Sequence, residues 1–192
     1  MEKLTGLKKI KTAVFISGTG SNLKNLIKFA KIKKSPISIS LIISNTNKAK
    51  GLSFANQYKI EKKIFDFKSA KITEKKILKL LKKEKIEFVC LAGFMKILSK
   101  NFIKKFDGKI INIHPSLLPK YKGLNTHFRA INNNEKFAGC TVHYVTRKLD
   151  SGKIILQKKI KITKRDNPAS LAKKVLKQEH KLYPAAILKV FD

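Results

Sequence analysis

The sequence predicts an α/β protein: a Rossmann-like, mostly parallel twisted sheet with helices on both faces and antiparallel strands added at the C-terminal edge. Three observations carry this expectation. From Thr12 to Leu91 short apolar runs alternate with amphipathic helical stretches, the pattern of repeated βαβ units. The first run ends in a glycine turn, Ser17-Gly18-Thr19-Gly20-Ser21-Asn22, that leads straight into a helical stretch. Later, Gly139–Val145 and Ile154–Ile160 follow one another with no helical pattern between them, which argues for antiparallel pairing at one edge.

In order, Thr12–Ser17 reads as a buried strand and Asn22–Lys31 as a helix whose Leu23, Leu26, Ile27 and Ala30 share one face. A strand at Ile37–Ser44, a helix near Lys48–Gln57, a strand at Lys63–Phe67, a helix at Thr73–Lys82 and a strand at Phe88–Leu91 continue the alternation. A further strand is expected at Lys109–Ile113. The last helix starts where Asn167 can cap it and Pro168 can occupy its first turn, with Leu171, Val175 and Leu182 on a buried face. Pro184 is expected to kink or locally distort that helix. No repeat, low-complexity linker or Pro/Gly-rich boundary interrupts the chain, so residues 1–192 read as a single domain. In open α/β sheets ligands gather at the carboxyl ends of the strands, which directs attention to the turns after Ser17, Ser44, Leu91 and Ile113.

Composition narrows the function classes. With 43% hydrophobic residues in short runs, no stretch reaches the roughly 20 apolar residues of a bilayer span, so a soluble protein is expected. The basic start, Met1 to Lys11, followed by apolar Thr12–Ser17, imitates a secretion signal, but the apolar run is short and Gly18, Thr19 and Gly20 break it. Cys90 and Cys140 each sit inside an apolar run and are expected to be reduced, in a cytoplasmic protein. The formal charge of +32, from 44 Lys and Arg against 12 Asp and Glu, would ordinarily point to nucleic acid. Lysine is spread over almost every segment, however, together with abundant Ile and Asn. Codon bias of an A- and T-rich genome explains that distribution, and specific nucleic-acid binding is not expected.

Three constellations carry possible chemistry. The turn from Ser17 to Asn22 presents backbone N–H groups and the positive end of a helix dipole, a cradle for phosphate. It lacks the third glycine of a dinucleotide fingerprint and the Gly-Lys-Ser/Thr of a P-loop; the competing reading is a plain glycine turn with Ser21 or Asn22 as cap. In Ile111-Asn112-Ile113-His114-Pro115-Ser116-Leu117-Leu118-Pro119, Asn112 and His114 are two apart and project from one face of a strand. There an amide can stabilise an oxyanion and an imidazole can manage protons, or both can merely satisfy a loop. Leu149-Asp150-Ser151-Gly152 places a carboxylate in a turn, where it either orients His114 and raises its pKa or only begins the turn.

From about Thr12 to Pro184 the chain resembles the phosphoribosylglycinamide formyltransferases, a folate-dependent formyltransferase family. The residues that carry the resemblance are Ser17 to Leu23, Leu91-Ala92-Gly93-Phe94-Met95-Lys96-Ile97-Leu98, the run from Asn112 to Pro119, and Gln178-Glu179-His180. The resemblance implies transfer of a formyl group from 10-formyltetrahydrofolate, as co-substrate, to the amine of glycinamide ribonucleotide in purine biosynthesis, by a monomer or homodimer with no metal. It implies a catalytic group of Asn112, His114 and Asp150 and a phosphate loop of Gly20, Ser21 and Asn22. It also implies that Lys68 and Met95, Lys96, Ile97 and Leu98 grip the folate, with Asn112 touching it, and that Glu179 meets the ribose hydroxyls. Lys68 and Lys96 stand where such enzymes commonly carry Arg, so the charge is kept but the bidentate fork is not; Arg147 stands where an acidic residue is frequent. Methionyl-tRNA formyltransferase and formyltetrahydrofolate deformylase share similar groups, but each usually adds a second domain for which this length leaves no room. An RNA-binding module on an inactive formyltransferase fold is the remaining alternative, prompted by the charge alone. His143 is expected to support the site rather than react, Met95 beside Phe94 to form pocket wall or core, and His127 and His180 are not spaced for a metal site.

Overall fold

A computed structural model of the protein describes residues 8–192; residues 1–7 of the basic start lie outside the described residues. The chain forms two compact units, one reaching to Lys96 and including Phe106–Lys109 and Phe191–Asp192, the other made of Ile97–Lys105 and Ile110–Val190.

The first unit alternates β1 (Ile10–Ile16), α1 (Ser21–Lys31), β2 (Ile37–Ser44), α2 (Leu52–Tyr58), β3 (Glu61–Ile64), α3 (Ala70–Lys83) and β4 (Phe88–Leu91). Its strands lie in the order β3-β2-β1-β4, all parallel. Ala13 to Ile16 of β1 are fully buried, as a central parallel strand covered on both faces requires. The edge strand β3 is the opposite case, with all four residues exposed. Phe94 follows β4 and meets the rings of Phe15 and Phe67 edge-on at 5.3 and 5.6 Å.

The second unit holds α4 (Lys100–Lys105), β5 (ending at His114 and starting at Lys109), α5 (Thr126–Asn132), β6 (Phe137–Tyr144), β7 (Ile154–Lys161) and most of α6 (Pro168–Phe191). β5, β6 and β7 pair antiparallel in that order. The observed architecture is therefore the predicted one, mostly parallel strands with antiparallel additions toward the C-terminal end. A register shift between Val142 and His143 interrupts the β6–β7 ladder, and such irregularities re-aim side chains beside functional sites. On α6 a reciprocal cap forms, the Ser170 N–H donating to Asn167 Oδ1 and the Asn167 N–H to Ser170 Oγ. The buried face includes Leu171, Val175, Leu182 and Tyr183. The helix runs on past Pro184 to Phe191, so the proline does not end it.

Several expectations need adjusting. β3 begins two residues before the expected Lys63, because its pairing to Leu41–Ser44 is a backbone matter on an exposed, charged edge that leaves no apolar alternation to read. α2 starts at Leu52 because residues 48–51 form a turn and Gly51 caps the helix. On α1 it is Phe29, and not Ala30, that is buried beside Leu23, Leu26 and Ile27. α4 and α5 were not expected: each is under two turns, and each buries only one or two residues.

Candidate active site

In the first unit β1 is followed by Ser17, whose hydroxyl is consumed by structure. It donates to Asn45 Oδ1 and accepts the N–H of Met95 at 2.7 Å. α1 starts at Ser21 on a left-handed Gly20, φ 74°, with no side-chain cap, so the simple-cap reading of Ser21 and Asn22 fails and both lie inside the first helical turn. The positive end of the α1 dipole lies at this turn, and the Lys24 N–H donates to the Gly20 carbonyl at 2.8 Å.

Gly20 is also required sterically. A Cβ there would lie 2.5 Å from Gly51 Cα, and a Cβ on Gly51 would lie 2.8 Å from Gly20 Cα and 2.9 Å from Ile16 Cδ1. The Gly51 N–H donates to the Gly18 carbonyl at 3.0 Å. The N-terminus of α2 thus packs backbone to backbone against the glycine turn, a part for Gly51 that the sequence signalled only as a glycine ahead of an apolar run.

In the second unit β5 and the β6–β7 turn assemble the expected group. Asp150 Oδ2 lies 3.4 Å from His114 Nδ1, and Oδ1 lies 3.6 Å from His143 Nε2. All three side chains are buried, between 3% and 8% exposed. Asn112 and His143 are direct partners across β5 and β6, and the amide nitrogen of Asn112 lies 3.3 Å from His143 Nε2. His143 Nδ1–H donates to the Tyr144 carbonyl at 2.9 Å, and its Nε2 faces both the Asn112 amide and Asp150 Oδ1. Asn112 keeps its second amide hydrogen.

Asp150 is placed by its backbone as much as by its partners. Its φ is 44°, and its Oδ2 accepts the N–H of Gly123 at 2.9 Å. Two residues on, a Cβ at Gly152 would lie 1.7 Å from the Tyr144 carbonyl oxygen, so only glycine closes this turn. Burial pushes the Asp150 pKa up, but hydrogen bonds from His143 and Gly123 and the nearby imidazoles outweigh it, and the net direction is down. Asp150 is an anion here.

For His114 the balance differs from the expectation. Burial lowers its pKa below the ordinary 6.5, and this outweighs the upward pull of the Tyr121 carbonyl and of Asp150, with His143 and Arg129 adding to the fall. Asp150 does act in the expected direction. Desolvation of a nearly enclosed ring is simply larger. The Nε2–H of His114 donates to the Tyr121 carbonyl at 2.9 Å, a contact with no sequence signal because it is made by backbone.

The remaining predicted residues are placed less tightly. The Lys68 side chain is 91% exposed, 3.7 Å from Asp66. Met95 and Ile97 are 64% and 68% exposed and Lys96 is exposed, whereas Leu98 is buried and its side chain belongs to the core. Met95 is thus not core. Glu179 is buried on α6, and its charge together with burial pushes the Cys140 thiol up to about 12, so that cysteine is inert. Among the described residues neither cysteine forms a disulfide, and no group of three or more His, Cys, Asp or Glu side chains is placed to hold a metal ion. No helix of the described residues is long and apolar enough to cross a membrane.

A histidine and a carboxylate with buried side chains stand beside a carboxamide at the end of β5, and the family profile described as formyl transferase matches residues 10–187. The chain belongs to the formyl transferase family. Phosphoribosylglycinamide formyltransferase of Haemophilus influenzae is 40% identical over 180 residues, 92% of this chain and 85% of that protein. The human trifunctional purine biosynthetic protein adenosine-3 is 42% identical over 183 residues, 94% of this chain. This formyl transferase chain spans only 18% of that protein's length. Among solved structures, phosphoribosylglycinamide formyltransferase from Brucella melitensis superposes with a TM-score of 0.89 at 42% identity, covering 96% of both chains.

Proposed function

We propose that this formyl transferase moves the formyl group of 10-formyltetrahydrofolate to the amine of glycinamide ribonucleotide, in purine biosynthesis, and that residues 1–192 act as one catalytic domain in the cytoplasm. The observation that carries the reading is the set of Asn112, His114 and Asp150, with the buried Asp150 carboxylate 3.4 Å from the buried His114 ring. The likeness to proteins named for this reaction supports it.

In this reading the substrate amine attacks the formyl carbon, a C–N bond forms, and the carbonyl electrons become an oxyanion on a tetrahedral centre. Asn112 offers its second amide hydrogen to that oxygen, and His114, once it has taken the proton released by the attacking nitrogen, stabilises it as an imidazolium. A His114 that is not already held as a cation gains most when the oxyanion appears, and so favours the transition state over the ground state. Asp150 stabilises the imidazolium formed. His114 and Asp150, directly or through water, carry the proton from the attacking nitrogen to the leaving folate nitrogen. Gly20, Ser21 and Asn22 hold the phosphate, and Glu179 the ribose hydroxyls. Lys68, Met95, Lys96 and Ile97 hold the folate, and Leu98 contributes backbone only.

The test is an absorbance assay of folate deformylation with and without glycinamide ribonucleotide. Turnover that requires the ribonucleotide is expected. Equal turnover without it, or turnover only with methionyl-tRNA as acceptor, would overturn the reading.

A further inference from the structure

The second ring nitrogen of His114 is fixed by a residue whose own conformation needs explanation. Tyr121, whose carbonyl accepts His114 Nε2–H, has φ 54°, a left-handed conformation that costs a side-chain-bearing residue about 1 to 2 kcal/mol. Such a conformation persists only where the surroundings hold it. Here the side chain is held from three directions. Its hydroxyl donates to Glu135 Oε1 at 2.9 Å, Asn133 Nδ2 donates to that hydroxyl at 3.0 Å, and the Arg129 guanidinium lies 5.0 Å over the ring. Glu135 Oε1 also takes Lys120 Nζ at 2.7 Å, which pins the residue before Tyr121. Ser116 Oγ donates to the Lys120 carbonyl at 2.7 Å, tying the same segment back toward β5.

We infer that Glu135 is a positioning residue for His114: it clamps Lys120 and Tyr121 so that the Tyr121 carbonyl holds Nε2–H while Nδ1 faces Asp150. As catalysis, this rests on the function proposed above; as a structural relation it does not. With Nε2 donating to a carbonyl, the proton that His114 gains or loses is the one on Nδ1, toward Asp150. The clamp thereby selects which nitrogen does proton chemistry. It also counters burial, since a carbonyl on Nε2–H favours the cation. The charged and titratable groups around His114 are Asp150 from the β6–β7 turn, His143 from β6, and Arg129 and His127 from α5. None of these is altered by changing Glu135 or the Tyr121 hydroxyl.

The experiment is an NMR titration of His114 in the ligand-free full chain, wild type against Tyr121→Phe, Glu135→Ala and Glu135→Gln, with thermal melts and pH profiles of kcat alongside. Tyr121→Phe and Glu135→Ala should each move the His114 midpoint downward. Glu135→Gln, whose amide oxygen still accepts the Tyr121 hydroxyl, should restore much of it. The basic limb of kcat should follow the same midpoints. Tyr121→Phe remains decisive if Glu135→Ala does not fold. An unmoved midpoint in Tyr121→Phe overturns the inference. So does Glu135→Gln matching Glu135→Ala while Tyr121→Phe matches wild type, because charge and not position would then be acting. Midpoints that move as expected in a chain without formyl transfer would uphold the clamp and refute the proposed function instead.

Discussion

Asp150 Oδ2 lies 3.4 Å from His114 Nδ1 and also accepts the Gly123 N–H, so one carboxylate joins the turn between β6 and β7 to the end of β5. Asp150→Asn keeps the shape and removes the charge. His114 should then titrate at still lower pH, kcat should fall by a factor on the order of 10² or more, and both KM values should change much less. Asn112→Ala should also lower kcat, by deleting an oxyanion donor, yet leave the His114 midpoint nearly in place. NMR titration beside steady-state kinetics checks both variants. If Asp150→Asn alters neither, Asp150 is only a turn residue.

The phosphate loop should govern binding more than chemistry. Ser21→Ala is expected to weaken ribonucleotide binding by about 1 to 3 kcal/mol through loss of a charge-assisted hydrogen bond, seen as a higher KM with kcat kept. Gly51→Ala should give the same signature for a different reason. Gly51 has φ −60°, which alanine accepts, but the new methyl would press on Gly20 Cα and Ile16 and displace the loop. A KM unchanged in both variants removes this assignment.

Stability should depend on pH through histidine. Burial lowers the pKa of His127 and of His114 relative to the ordinary 6.5. A depressed folded-state value means the unfolded chain binds protons first, so this stability is complete above about pH 6.5 and is lost as pH falls through the folded-state values. Melting temperatures should therefore decline between pH 8 and 5, where ordinary carboxylates are still ionised. His127→Gln should flatten the slope, and an equal slope in that variant would exclude His127 as a source.

Charge should give attraction without selectivity. Binding of duplex or single-stranded nucleic acid is expected at low salt, with affinity falling steeply as salt is added. Tight, sequence-selective RNA binding at physiological salt would contradict the codon-bias explanation of the +32 charge.

What could be read from the sequence was whatever produces a period or a motif. β1, α1, β2 and β4 bury contiguous or facially arranged apolar side chains, and burial repeats with the geometry of the element. Asn112 and His114 were legible because a two-residue spacing on a strand is already a statement about faces, and Asp150 because Gly152 closes its turn. β3, α4 and α5 were not, since exposed or very short elements are specified by backbone pairing and context. Tyr121 and Gly123 contribute a carbonyl and an N–H, which every residue possesses, so their side chains announce nothing. The pKa direction of His114 was missed for a related reason: sequence shows the neighbouring charge but not how completely water is excluded.

The outermost strand β3 bears on a matter separate from catalysis. Its outer rim is a row of backbone donors and acceptors with no neighbouring strand among the described residues, a template on which another chain could polymerise. Glu61, Lys62, Lys63 and Ile64 line it, all exposed, with lysine at the two middle positions. Stacking two such rims would bring like charges together and desolvate them. The two lysines thus give this chain a guard against fibrillar self-association, at the edge of its parallel strands where an apolar tetrapeptide would be most hazardous.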